Sequence, residues 1–99
     1  MPLFETHIIQ NREIAREYHN VEFEWPAHVE APSPGQFATV RTSPGAVPLL
    51  RRPFAFSAYS GHSASLIYWK RGTGTQLLAA KKPGEVLDLL APLGKDRKS

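Results

Sequence analysis

Val21-Glu22-Phe23-Glu24-Trp25 alternates without a break between large apolar side chains and glutamates. Successive side chains on a strand point to opposite faces, so Val21, Phe23 and Trp25 must face a core while Glu22 and Glu24 face water. Phe23 and Trp25 are accordingly expected to be buried. Pro26 closes the run, because it offers no N–H to a sheet. Similar short runs lie on either side. Residues 6–9 and 13–15 read as strand, interrupted at Asn11, where a turn or a bulge fits. Ala31-Pro32-Ser33-Pro34-Gly35 is a loop by composition, and residues 36–42 form a third strand with Phe37, Thr39 and Arg41 on one face. Residues 43–48 are again loop. Residues 54–59 and 65–70 are the fourth and fifth strands, joined by the turn Ser60-Gly61-His62-Ser63. A short helix is expected over residues 76–82, capped by Thr75 and stopped by Pro83-Gly84. Residues 86–90 complete the set. Short strands punctuated by turn signals indicate a sandwich or a barrel. With one helix between the last two strands, a mainly all-β, six-stranded antiparallel barrel with that helix at one opening is the natural arrangement. Closure also removes exposed strand edges.

The bulk numbers agree with a folded domain. At 99 residues with 41% hydrophobic content, one domain with a modest core is expected. Its bounds are set at residues 1–94, leaving 95–99 as a frayed basic tail. The formal net charge is +3. The carboxylates gather early (Glu5, Glu13, Glu17, Glu22, Glu24, Glu30), and the cations at Arg51-Arg52, Lys70-Arg71, Lys81-Lys82 and residues 95–98. Such a skew suits nucleic acid or an anionic small ligand, and a solvated basic face is the plain alternative. The chain contains no cysteine, which excludes disulfides and thiolate metal sites. No secretory leader and no run long enough to span a bilayer is visible, so a cytoplasmic protein without membrane association is expected.

Two segments carry the chemistry. The first is Leu49-Leu50-Arg51-Arg52-Pro53-Phe54-Ala55-Phe56-Ser57. A guanidinium grips a diphosphate at two points, and an aromatic beside it packs a flat ring. Arg52 and Phe54 are two apart, hence on one face of a strand, and Pro53 stiffens the backbone between them. Either arginine could equally sit in solvent, and Phe54 could equally be core. The second segment is Gly72-Thr73-Gly74-Thr75. A glycine turn that opens a helix leaves backbone N–H groups converging where negative charge is favoured. Lys70 and Arg71 flank it. It lacks the Gly-Lys-Ser/Thr of a nucleotide-triphosphate loop and the second half of a dinucleotide fingerprint. Tyr68 and Trp69 point to opposite faces, one to the core and the other to a pocket. His7, His19, His28 and His62 match no metal spacing, and Ser57, Ser60 and Ser63 lack a nucleophile-elbow context. No metal and no catalytic side chain is expected.

These segments occur with others in a telling order: Pro34-Gly35-Gln36-Phe37, Ile67-Tyr68-Trp69-Lys70, Leu77-Leu78, Pro83-Gly84-Glu85 and Leu90-Ala91-Pro92-Leu93-Gly94. The whole set, from residue 6 to residue 94, resembles the flavin domain of the ferredoxin-reductase-like family, in the branch of the dihydroorotate dehydrogenase electron-transfer subunits. The resemblance implies a Greek-key barrel with FAD on its outer face. Arg52 would meet the pyrophosphate, Pro53 and Phe54 would pack near the ring system, and the amides of Gly72, Gly74 and Thr75 would cradle phosphate. Tyr68 and Lys70 would lie along the cofactor. The family carries Ser or Thr where this chain has Ala55, which neither donates nor accepts. Ser57, on the same face, is the nearest substitute.

In the family a nicotinamide-binding domain follows, and in close relatives a cysteine cluster for iron–sulfur. This chain has neither, so it resembles a flavin domain cut at its boundary. Three functions follow. The first is the FAD-binding barrel of an electron-transfer oxidoreductase, working with a partner oxidoreductase subunit and not expected to turn over alone. The second is a cofactor-free barrel serving as an interaction module, with Ala55 marking lost flavin binding. The third is a nucleic-acid barrel using Phe54, Tyr68 and Trp69, which ranks last because its aromatics alternate like core residues. No nucleic-acid partner is therefore expected, and a bare barrel face would favour self-association.

Overall fold

The computed structural model describes residues 3–41 and 51–94. Six strands and one helix follow in order: β1 (Leu3–Ala15), β2 (Tyr18–Glu24), β3 (Phe37–Arg41), β4 (Arg51–Tyr59), β5 (Ser63–Trp69), α1 (Gly72–Ala79) and β6 (Val86–Leu93). The strands close into a barrel in the order β1-β2-β5-β4-β3-β6, and every pairing is antiparallel. The fold is thus the six-stranded antiparallel barrel that the alternation implies, with its helix between the last two strands. The loop expected over 43–48 and the tail expected over 95–99 lie outside the described residues.

Alternation decides the inside. On β2, Val21 and Phe23 are fully buried, and Trp25, just past the strand end, is 6% exposed. On β3 the core face is Ala38 and Val40, while Phe37, Thr39 and Arg41 share the other face and are half-buried. Leu66 on β5 and Leu87 and Leu89 on β6 complete the middle of the core. Trp25 plugs the barrel end at which β5 begins. Its ring lies 5.6–6.3 Å from those of Phe4, Phe23, Phe56 and Tyr59. Its indole N–H donates to the carbonyl of Val29 at 3.1 Å, which pins the turn that follows.

Two elements differ from the sequence expectation. The interruption at Asn11 does not break β1, which is one strand of 13 residues. Its register against β2 slips between Ile8 and Gln10. A bulge there lets the strand bend from β6, which it pairs over Leu3 to His7, to β2. The helix runs from Gly72 to Ala79 rather than over 76–82. Gly72 through Thr75 form its first turn instead of preceding it, and the helix ends before Pro83-Gly84 is reached.

Candidate cofactor site

Antiparallel pairing of β4 with β5 brings the two chemistry-bearing segments to one end of the barrel. Phe56 is paired with Leu66. Two residues nearer the start of β4, the ring of Phe54 meets that of Tyr68 at 5.6 Å. Residues 52–54 therefore lie where β5 runs out at Trp69 and α1 begins at Gly72. Arg52 pairs with Val40 on the neighbouring β3, and the side chains of Arg51, Arg52 and Thr73 lie outside the description.

The two faces of β4 have different company. Phe54 and Phe56 are half-buried and pack on the core. Pro53, Ala55 and Ser57 are exposed on the outer face. Phe54 and Ala55 thus sit on opposite sides of the barrel wall. Ser57 shares the outer face with Ala55, but its hydroxyl donates to Asn20 Oδ1 at 2.9 Å across β5. Any other acceptor must compete with that bond.

The N-terminus of α1 is open. Arg71 occupies the N-cap position in extended conformation, no side chain caps the first turn, and the turn contains no acidic residue. Gly72 has φ +76° with no atom near a hypothetical Cβ, so the chain turns there as only glycine does without strain. Thr75 does not cap the helix. Its hydroxyl accepts from the Arg71 N–H at 2.6 Å and donates to the Arg71 carbonyl, which leaves it buried against the strand exit. Positive charge is held close by. The Arg71 guanidinium lies 4.0 Å over the Trp69 ring, which stacks on Tyr18 at 5.9 Å. Lys70 is half-buried, and its backbone N–H donates to the Glu17 carbonyl at 2.7 Å. An uncapped helix start with cations beside it accommodates an anion.

Tyr68 faces inward and is 3% exposed, whereas Trp69 on the other face is 44% exposed. The Tyr68 hydroxyl donates to Asn11 Oδ1 at 2.9 Å. Burial pushes its pKa from the usual 10 up to about 12. The unfolded chain releases this proton first as pH rises, so the stabilising effect is complete below pH 10 and lost on passing through about 12. Denaturation midpoints of the wild type are expected to fall across that window more steeply than those of Tyr68→Phe. Equal slopes would show that Tyr68 ionises freely in the folded state.

Sequence reasoning missed Asn11. Its Nδ2 donates to the carbonyls of Leu78 at 2.8 Å and Lys81 at 2.9 Å. Only its place as a polar residue inside a strand pattern signals it. His19 is also buried, stacked on Tyr68 at 5.6 Å with Nδ1 unpartnered. No group of side chains among the described residues could hold a metal ion, and no described helix is long and apolar enough to cross a membrane.

No family model matches the chain. It is 37% identical over 89 residues to the dihydroorotate dehydrogenase B (NAD(+)) electron transfer subunit of Geobacillus sp. (strain WCH70), covering 88% of this chain and 35% of that protein. The chain spans about a third of the length of the curated relatives it matches. Among solved structures, the NADH-dependent reduced ferredoxin-NADP oxidoreductase superposes with a TM-score of 0.79 at 22% identity, over 92% of this chain and 33% of that one. A ferredoxin NADP+ reductase from Neisseria gonorrhoeae, with bound FAD and NADP, superposes at 0.66 with 15% identity, over 90% of this chain and 37% of that one. The structural matches speak for the fold and the sequence matches for descent: this barrel has the fold of the ferredoxin-NADP reductase structures and is similar in sequence to the matching third of the dihydroorotate dehydrogenase B electron-transfer subunits.

Proposed function

We propose that the chain is the FAD-binding barrel of an electron-transfer oxidoreductase that acts with a partner subunit. The carrying observation is that Phe54, two residues after Arg52 on β4, packs against Tyr68 of β5, four residues before the uncapped α1 begins at Gly72. A diphosphate between β4 and α1 would receive the free backbone N–H groups of Gly72 and Gly74 and a guanidinium from Arg52, whereas the Thr75 N–H, four residues after the N-cap Arg71, is taken up by the helix itself. Pro53 and Ala55 offer a flat, exposed outer wall, and Phe54 supports that wall from inside. Lys70 and Arg71 add charge at the rim. Tyr68, being buried, supports the wall from within beside Phe54. When bound, FAD supplies the conversion of a hydride from NAD(P)H into single electrons for an iron–sulfur centre. The barrel's share is to bind and orient it.

The direct test is titration of purified protein with FAD, followed by flavin fluorescence. Saturable binding is expected. A folded chain that takes up no FAD is instead the cofactor-free interaction barrel. Ala55 gives a finer test. It is exposed on the outer face, where the family's hydroxyl is missing and Ser57 is already engaged by Asn20. Ala55→Ser adds one neutral hydrogen bond, about 0.5–1.5 kcal/mol net. FAD affinity should rise roughly two- to tenfold. Equal or weaker affinity would mean that position 55 does not face the flavin.

A further inference from the structure

We infer that Asn11 is a positioning residue for the anion site: it clamps the far end of α1 and so aims the amides at the near end. The inference rests on the flavin reading for its ligand, though not for its geometry. A helix of eight residues is too short to hold itself. It is about 12 Å long, so a small swing at one end moves the other appreciably. Its near end is fixed by the chain leaving β5, where Lys70 N–H donates to Glu17 and Thr75 holds Arg71. Along its length Leu78 is fully buried. Backbone N–H groups close its last turn, Ala80 bonding to the Gln76 and Leu77 carbonyls at 3.2 Å and Lys81 to that of Leu78 at 3.1 Å, and side-chain bonds add to these. Asn11 supplies both of its amide hydrogens there, to Leu78 and to Lys81.

The same side chain is tied to the other half of the site. Asn11 Oδ1 accepts from Tyr68, and the Tyr68 ring lies against Phe54, next in line to Arg52 and Pro53. One amide side chain thus links the strand that carries the arginine to the helix that carries the backbone donors. Neither Asn11 nor Tyr68 needs to touch the ligand for this. The bulge in β1 before Gln10 belongs to the same arrangement, since Gly84 N–H bonds to Ile8 carbonyl beside it at 2.7 Å.

Two substitutions separate the links. Asn11→Asp keeps the shape and the acceptor for Tyr68, but removes both donors and sets negative charge against the negative helix end. Tyr68→Phe keeps the helix bonds and removes the other one. Hydrogen exchange on the ligand-free protein reads the clamp directly. Amides of residues 75–80 should exchange at least about tenfold faster in Asn11→Asp, with β2 and β5 unchanged. In Tyr68→Phe they should stay near wild type. FAD affinity should fall about tenfold in Asn11→Asp. Val29→Ala, at the opposite barrel end, is the control: it should lower the melting temperature and leave FAD affinity unchanged. Helix amides as protected in Asn11→Asp as in wild type would overturn the clamp. So would an equal loss of FAD affinity in Val29→Ala. If wild type takes up no FAD, the flavin reading fails, and the exchange result alone decides whether Asn11 holds the helix.

Discussion

Trp25→Ala is expected to cost about 3–5 kcal/mol of folding stability, the range for truncating a large buried aromatic. The ring is 6% exposed and touches four other aromatic rings drawn from β1, β2 and β4. Its removal opens a cavity that none of these neighbours fills without leaving its own strand. The Val29 carbonyl also loses its indole donor, which releases the turn after β2. A small domain has only about 5–15 kcal/mol in total, and each kcal/mol shifts Tm by about 4–8 °C at this size. Trp25→Ala should therefore be largely unfolded at temperatures where wild type is intact. Trp25→Phe keeps most of the packing and loses the hydrogen bond, so it should cost much less. Denaturant titrations of the three proteins measure both steps. A cost below about 1 kcal/mol for the alanine variant would mean that this barrel end is not closed by Trp25.

The β2 alternation was legible because burial there follows directly from period two: Val21, Phe23 and Trp25 are inside, as their spacing requires. Closure of six such runs then left little choice of fold. What escaped was long-range hydrogen bonding. Asn11 reads locally as a strand breaker, yet its partners stand 67 and 70 residues away in the chain. No local pattern contains them. The helix start was misplaced for a related reason. Thr75 looks like an N-cap, but its hydroxyl turns back on Arg71. Gly72 opens the first turn at φ +76°, a conformation that glycine adopts without strain, so the glycine turn is part of the helix start and does not precede it. On β5 the opposite facing of Tyr68 and Trp69 was plain from parity. Which of them went inside was settled by register, with Tyr68 paired to inward His19.

Arg52→Ala is expected to weaken FAD binding by about 1.5–3 kcal/mol, the worth of a hydrogen bond to a charged group. That corresponds to roughly a ten- to hundredfold rise in Kd. The argument starts from what α1 cannot do alone. An uncapped helix start offers a partial charge and a few N–H groups, typically 0.3–1 kcal/mol each in exposed settings. A diphosphate carries more negative charge than that offsets, so a full cation must approach it. Of the cations near this barrel end, Arg71 is already stacked on Trp69 at 4.0 Å. Arg52 is next to Pro53, whose ring fixes the backbone, and one residue further Phe54 anchors the strand on the core. That rigid base lowers the entropy lost when the guanidinium is held in one place. Arg52→Lys should recover only part of the affinity, because an ammonium restores charge without the two-pronged geometry. The wild-type advantage over Arg52→Ala should also shrink at high salt, where exposed charge is screened. Titrations of the three proteins at two ionic strengths supply the test. An unchanged Kd in Arg52→Ala would assign the diphosphate to the turn at Gly72 and to Arg71, and would leave Arg52 a solvated residue at a strand entry.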